Sequence, residues 1–344
     1  MGVENPAFFT HKMSTILNAS TESEETHLEA IDLIIEEFSN KVDLVTCLKS
    51  GITDALLHMC EHGTTNEHVR ALKALSKVAE LQFGRDLYMP AIERQLVSDL
   101  THAAPPVVLE SALVLAAYTD LSLTTPTTDR LIHDHSILPA LNAVLAAAEP
   151  KSTRVALSVL RNIIRQDQAT LRLIELDMAT EHSVLKGLAV QLQTGGEVGA
   201  LPILCTFAKT QLGTAPFPDV PGLLEGMIKA CGSTVTSVRK WACSLAALVA
   251  VSETSARKAV ELGIVPVLGT QLTVPVRQIR ISCLETLNTV LPIRTPLLFE
   301  QLGELRDILG RRAKEVTMIR SKDAFEEGNL ISNLIRYIDT VGIM

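Results

Sequence analysis

The chain has 344 residues, of which 47% are apolar, 20% are charged and only 3% are aromatic. This apolar content excludes a disordered chain and is sufficient to bury a large core, either in two or three globular domains or in one continuous array of repeats. The formal net charge is −8, and no long basic stripe interleaved with aromatic residues gives support for binding to nucleic acid.

The terminal sequence and the cysteines indicate the compartment. Residues 1–6 lack a basic region followed by an apolar stretch, so we expect no secretory signal. The longest weakly polar run, residues 136–148, is shorter than the roughly 18 residues that a membrane span needs. The six cysteines, among them Cys47 and Cys243, form no Cys-x-x-Cys pair and indicate small buried residues in a reducing compartment. We expect a soluble cytoplasmic protein without a membrane partner, and the nucleus remains a second option.

The first forty residues divide into two segments. Residues 1–20 are predicted to form a flexible N-terminus. Residues 22–40 carry seven acidic residues and no Lys or Arg, interspersed with apolar positions such as Ile31 and Ile34. A capping box from Thr21 to Glu24 is expected to start a helix there. We therefore predict an acidic amphipathic cap helix over residues 21–40.

The clearest repeat lies late in the chain, in residues 256–268 and 276–291. Its pattern predicts two short helices separated by Gly263, then a loop, then a longer third helix. Glycine permits the sharp turn between the first two helices, and Pro266 fits the first turn of the second helix, where its missing N–H has no cost.

The same pattern recurs at aligned positions 54, 90, 139, 221 and 266, with a missing copy expected near Ser183. The mean period is about 42 residues. The predicted third helices carry apolar residues three and four apart, which places each set on one helix face. These sets are Ala71, Ala74, Leu75 and Val78; Val238, Ala242, Leu245 and Val249; and Ile279, Cys283, Leu287 and Val290. Such faces require neighbouring units to stack.

On these residues, from about 40 to 291, the sequence resembles the armadillo-repeat family, and HEAT repeats, which share the period, remain an alternative. The resemblance implies an all-α, right-handed α-solenoid of about six repeats with helical caps. We assign residues 41–292 to the array. The pattern is interrupted in the fourth unit, where Gly195, Gly196 and Pro202 fall in the predicted third helix. Residues 293–344 are predicted to form a C-terminal helical cap, with stripes at Leu298, Leu302, Leu305 and Leu309 and at Leu330, Leu334 and Ile338.

Motifs for catalysis are missing from the sequence. There is no Gly-x-x-x-x-Gly-Lys-Ser/Thr loop, no Gly-x-Gly-x-x-Gly, no Gly-x-Ser-x-Gly and no His-Glu-x-x-His. His58 and His62 share a helix face and with His68 would resemble a zinc site, but the favoured interpretation is a polar helix end. We therefore expect a non-enzymatic protein without a metal or a cofactor.

The armadillo resemblance implies a groove lined by the third helices, which in that family binds extended peptides. Importin-α-like members carry there a repeated Trp with an Asn four residues later, and of the aligned pairs only Asn162 matches. Trp241 is predicted to pack in the core or between repeats. Lys73 and Lys77 are predicted to make one end of the groove basic, Tyr118 to anchor a partner, and Asn162 to bind a peptide backbone. The candidate groove residues are Lys73, Lys77, Tyr118, Ser158, Asn162, Ser244, Glu285 and Thr289.

Two functions remain open on the sequence. The first is a scaffold or adaptor that binds a peptide or a partner domain in its groove. The second is a regulator of a nucleotide-binding partner, because some Hsp70 nucleotide-exchange factors resemble this chain in being armadillo proteins of comparable length with helical caps. The sequence leaves the partner and the oligomeric state undetermined.

Overall fold

A computed structural model of the chain describes residues 6–38, 48–49, 51–87, 89–120, 125–147, 149–293, 296–319 and 321–341. Every regular element in these ranges is a helix, and none of these residues forms a strand. The all-α prediction is therefore confirmed for the part of the chain that the structure describes.

Two helices precede the repeats, α1 (Pro6–Leu17) and α2 (Glu24–Glu37). Residues 6–17 thus form a helix where the sequence predicts a flexible segment, because Met13 and Leu17 are buried and anchor it. The N-cap of α2 is Ser23, whose hydroxyl accepts a hydrogen bond from the Thr26 N–H at 3.2 Å, and not the predicted Thr21.

Within the described residues, six repeats with the predicted second and third helices follow. The first shows its second and third helices, and its predicted start at residues 41–47, with Cys47, lies outside the described residues. The second helices are α3 (Ile52–His62), α6 (Met89–Asp99), α9 (Ile137–Ala147), α12 (Ser183–Thr194), α15 (Leu223–Cys231) and α18 (Ile264–Gln271). The third helices are α4 (Thr65–Ala79), α7 (Pro105–Asp120), α10 (Pro150–Ile163), α13 (Glu197–Phe207), α16 (Thr236–Val249) and α19 (Arg277–Val290). The missing copy expected near Ser183 is thus found where α12 begins.

The first helices are shorter and more variable. They are α5 (Gln82–Leu87), α8 (Thr125–Asp129) with a π-helical turn at Arg130–Asp134, α11 (Asp167–Ala179), α14 (Gln211–Thr214) and α17 (Glu253–Glu261). Two long helices, α20 (Pro296–Thr317) and α21 (Lys322–Val341), end the chain. Within the described residues, no helix combines the length and the apolar composition that a membrane span requires.

The turn before the second helix has one conformation in five of the repeats. The residue there is left-handed, with φ of +84° at Gly51, +76° at Gly222 and +83° at Gly263. Ser136 and His182 adopt φ of +56° and +61° at the same position without being glycine. The equivalent residue of the second repeat, Tyr88, lies outside the described residues. The turn is therefore a fixed feature of the fold.

Replacing Gly263 by valine should lower the free energy of unfolding by about 1–3 kcal/mol, because a β-branched side chain disfavours positive φ. A Cβ at Gly263 would meet no atom within 4 Å, so backbone strain is the whole cause. Gly303→Ala is the control, since Gly303 lies inside α20 in equally open space and alanine there should stabilise the helix by roughly 0.5–1 kcal/mol. An unchanged melting temperature for Gly263→Val would contradict the left-handed conformation of Gly263 at this turn.

The chain divides into two units, Met1–Leu173 and Ile174–Met344, with the boundary inside α11. In the N-terminal unit the predicted stripe of α4 is buried, and in the C-terminal unit those of α16 and α19 are buried as well. The five cysteines among the described residues, Cys60, Cys205, Cys231, Cys243 and Cys283, are buried thiols.

The fourth repeat differs from its prediction. Gly195 and Gly196 do not interrupt a third helix, because Gly195 ends α12 in a left-handed conformation and Gly196 is the N-cap of α13. Only Pro202 lies inside α13. The C-terminal cap buries Leu298, Leu302, Leu305 and Leu309 as predicted, whereas α21 buries Ile331 with Leu334 and Ile338 and leaves Leu330 half-buried.

Candidate groove in the N-terminal unit

A groove of about 660 Å³ opens on the N-terminal unit. Three consecutive third helices, α4, α7 and α10, and the cap helix α2 contribute its walls. Of the predicted residues, Lys73, Lys77 and Ser158 line this groove. The structure thus places a groove on the third helices of this unit, as the armadillo resemblance implies.

Helical spacing explains which side chains reach the groove. The apolar stripe of α4 is buried, so Arg70, Lys73 and Lys77, three and four residues apart, lie together on another side of the helix. On α7 the same spacing brings Glu110, Leu113, Ala117 and Asp120 to the groove. Each helix therefore contributes one row of side chains.

The floor is small and apolar, and the rim is charged. Ala116 and Ala117 leave room above α7, and Leu113 and Ile35 add apolar surface. The cations all belong to α4, whereas the acids come from α2 (Asp32) and from α7 (Glu110 and Asp120). A ligand in this groove would meet a row of cations beside a row of acids.

Both groove lysines have ionic partners. Lys73 Nζ lies 4.0 Å from Glu110 Oε1, and Lys77 Nζ lies 3.2 Å from Glu80 Oε1. Arg70 Nη1 contacts Asp32 Oδ1 at 2.7 Å. Burial in the groove wall raises the pKa of Glu110, and the Lys73 ammonium opposes that rise. Most of these groups are partly exposed, so each pair contributes at most about 1 kcal/mol and a ligand can replace it.

Tyr118 does not face the groove, which corrects its predicted role as an anchor. Its side chain is 5% exposed, and its hydroxyl donates a hydrogen bond to the fully buried Glu93. Burial, followed by that hydrogen bond, raises the pKa of Tyr118 well above its ordinary value. Arg130 donates to both oxygens of Glu93 at 3.0 and 2.9 Å, and His135 Nε2 lies 3.2 Å from one of them.

Asn162 is also a core residue, so its predicted contact with a peptide backbone is corrected. It is 2% exposed, and its Nδ2 donates to Thr119 Oγ1 at 3.2 Å. Its side-chain amide oxygen, Oδ1, is buried without a hydrogen-bond partner among the described residues. Asn162 therefore holds α10 to α7 instead of contacting solvent.

The remaining predicted residues belong to the C-terminal unit. Ser244 is half-buried on α16, Glu285 is exposed on α19, and Thr289 donates its hydroxyl to the Glu285 carbonyl at 3.0 Å. Trp241, predicted to pack in the core or between repeats, is 43% exposed on α16. None of these side chains is among those that line the groove of the N-terminal unit.

The histidines considered for zinc are separated by other contacts. The rings of His58 and His62 lie 4.7 Å apart, but His68 is buried and its Nε2 lies 2.8 Å from Asp99 Oδ2. No group of three or more His, Cys, Asp or Glu among the described residues is arranged to hold a metal ion.

The similarity of this chain to known proteins lies in its structure. No protein-family model matches it, and no curated protein matches it. An engineered protein from the Northeast Structural Genomics Consortium is 16% identical over 95% of this chain and 99% of its own, with a TM-score of 0.55. A second one is 20% identical over 69% of this chain and 98% of its own, with a TM-score of 0.57.

A designed armadillo repeat protein is 16% identical over 81% of this chain and 98% of its own, with a TM-score of 0.48. At such identities, similarity shows the fold alone and not a function. The three-helix repeats, the stacked third helices and the similarity to the two engineered proteins agree with one another. The chain has an armadillo-like repeat fold.

Proposed function

We propose that this chain is a non-enzymatic scaffold that binds an extended acidic peptide of a partner protein in the groove of its N-terminal unit. The observation that carries the proposal is the row formed by Arg70, Lys73 and Lys77 on one wall of that groove. The proposed compartment is the cytoplasm, on the sequence grounds given above.

The dimensions of a helical array suit an extended chain. Packed helices lie about 8–10 Å apart, and an extended peptide advances about 3.3–3.6 Å per residue. One helix spacing therefore corresponds to about three peptide residues. Ala116 and Ala117 leave the floor low enough for a backbone, and Leu113 offers an apolar contact.

The charges favour acidic residues over α4. Among the described residues, the ammonium group of Lys73 is held by a 4.0 Å contact and that of Lys77 by an exposed pair with Glu80, which directly follows α4. A peptide carboxylate can displace both at little cost. Asp120 also lines the groove and forms no ion pair among the described residues. It would therefore pair with a basic residue further along the peptide.

The cap helix α2 forms part of the groove wall, and its Asp32 already pairs with Arg70 at 2.7 Å. In the structure α2 buries His27, Ala30, Ile31 and Ile34, and Asp32 and Ile35 contribute to the groove wall. The acidic ligand must therefore come from another molecule or from another part of the chain.

Reversing both charges, with Lys73→Glu and Lys77→Glu, should weaken binding of a fluorescein-labelled acidic peptide about tenfold or more at low salt. Fluorescence anisotropy measures the affinity, with a glutamine-substituted peptide as the uncharged ligand. Lys12→Glu with Lys151→Glu is the matched control, because both lysines are exposed in the same unit outside the groove.

Equal affinity for the acidic and the glutamine-substituted peptide would contradict the proposal, as would equal losses in the two double variants. No feature of the described residues favours the Hsp70-regulator alternative. Capture of an Hsp70 that the groove variant leaves unchanged would place the functional surface elsewhere.

A further inference from the structure

The end of the α20–α21 hairpin exposes three large apolar side chains. Met318 and Ile319 follow α20 directly and are 87% and 52% exposed, and Phe325 in the first turn of α21 is 70% exposed. We call these three residues the apolar tip. Exposed apolar residues are ordinary when scattered, but a group at one end of a hairpin indicates a contact surface.

The apolar tip is not a displaced piece of the core. The buried stripe of α20 ends at Val316, two residues before Met318. The buried face of α21 uses Ala324, Glu327 and Ile331, which turns Phe325 away from the hairpin interior. Packing within the hairpin therefore leaves these three side chains in solvent.

The acids around the tip are paired with arginines, and Arg277 is shared by two of them. Glu315 lies 2.6 Å from Arg312, and Asp323 and Glu326 lie 3.4 and 2.9 Å from Arg277. The buried Glu327 accepts hydrogen bonds from Arg280 and Arg312 at 2.8 Å each. These contacts leave little negative charge available near the tip.

Three exposed cations near the tip, Arg311, Lys314 and Lys322, form no ion pair among the described residues. The local surface is therefore basic and apolar, although the whole chain carries a net charge of −8. Basic side chains around exposed apolar ones are the chemistry of surfaces that bind anionic lipid membranes.

We propose that the apolar tip docks peripherally on the surface of an anionic lipid bilayer, with Arg311, Lys314 and Lys322 at the headgroups. Because the chain carries a net charge of −8, an anionic bilayer disfavours orientations that present its acidic surface. The proposal goes beyond the sequence expectation of no membrane partner, and it invokes no spanning segment.

Two other occupants fit less well. A symmetric pair of chains joined at this tip would bring like charges together, because Lys314 and Lys322 would face their own copies. A stable protein interface buries about 800 Å² on each partner, which three side chains do not supply. Insertion into the headgroup region needs no such area, since each buried apolar side chain contributes independently.

Flotation of the full chain with vesicles tests the proposal. We expect binding to phosphatidylserine-rich phosphatidylcholine vesicles at low salt and none to pure phosphatidylcholine. Lys314→Glu with Lys322→Glu should weaken partitioning at least about 25-fold, and Met318→Ser with Ile319→Ser and Phe325→Ser about tenfold or more. The matched controls are Lys229→Glu with Lys240→Glu for charge and Val251→Ser for apolar exposure, all exposed in the same unit.

Absence of binding to the anionic vesicles, or equal losses in the tip variants and the controls, would overturn the proposal. Full displacement by inorganic phosphate, with the triple serine variant binding normally, would also overturn it and indicate an anion site. Self-association of the chain that the triple variant abolishes, without vesicle binding, would identify a second copy as the occupant. None of these outcomes depends on the groove of the N-terminal unit.

Discussion

Glu93→Ala should lower the free energy of unfolding by about 3–5 kcal/mol, one of the two largest losses that we expect from a single substitution. Glu93 is fully buried and accepts hydrogen bonds from Tyr118 and from the Arg130 guanidinium, and His135 Nε2 lies 3.2 Å away. Its removal leaves the Arg130 charge and the Tyr118 hydroxyl without their acceptor. The cost of such orphaned groups exceeds what the pair contributes while intact.

Urea unfolding followed by circular dichroism measures this loss. Glu80→Ala is the control, because Glu80 forms an exposed pair with Lys77 in the same unit and its loss should stay within about 0.5 kcal/mol. Glu93→Gln keeps the shape and one acceptor oxygen, so it should fall between the two. A loss below about 1 kcal/mol for Glu93→Ala would mean that the network contributes little.

The second large effect is the loss of stability on replacing Glu327, and the stabilisation by Glu327 depends on pH. Burial alone would raise the pKa of Glu327, but the hydrogen bonds from Arg280 and Arg312 outweigh it and hold the pKa below the ordinary value of 4.5. A carboxyl group whose pKa is lower in the folded chain than in the unfolded chain stabilises the fold. This stabilisation is complete above the pKa of the unfolded chain, and it is lost as the pH falls through the pKa of the folded chain. The C-terminal unit should therefore lose stability as the pH falls below about 4.5.

Glu327→Gln should lower the free energy of unfolding at neutral pH by about 3 kcal/mol, because the buried Arg280 loses its counter-charge and the half-buried Arg312 keeps only Glu315. The variant should also lose less stability on acidification than the parent chain does. Urea unfolding at neutral and acidic pH measures both effects. Glu326→Gln is the control on the same helix, since Glu326 forms an exposed pair with Arg277. If the free energy of unfolding of the parent and of Glu327→Gln fell by the same amount with falling pH, Glu327 would not be the group responsible for the acid sensitivity.

The repeat architecture is predictable from the sequence because its signals are local. Apolar stripes at helical spacing and a period of about 42 residues locate the second and third helices. They locate even the copy at Ser183, which has neither Gly at its turn nor Pro in the first turn of its second helix. Helix α1 carries no comparable signal, because its order depends on the burial of Met13 and Leu17 by helices distant in sequence.

The groove is only partly predictable, and the error has a simple geometry. On α4 the alignment selects Lys73 and Lys77, which do line the groove. On α7 it selects Val114 and Tyr118, whereas the groove side chains are Leu113 and Ala117, one residue earlier. One residue is about 100° of rotation on a helix, which is enough to turn a surface position into a core position. The contact of Arg70 with Asp32 joins distant helices and has no local signal.

The left-handed turns at Ser136 and His182 limit how freely the repeats can be exchanged. An L-residue at positive φ is strained by of order 1–3 kcal/mol, so the local sequence does not choose this turn. At His182 the buried Asp177 supplies compensation, since it contacts the imidazole at 2.8 Å and accepts the Leu185 N–H at 3.0 Å. A cassette that ends its first helix in glycine carries its turn with it, and the fourth repeat does so as long as Asp177, on its own first helix, is kept with His182. The turn at Ser136 has no equivalent side-chain contact among the described residues, so the sixth repeat is a portable building block for grafted arrays and the third repeat is not.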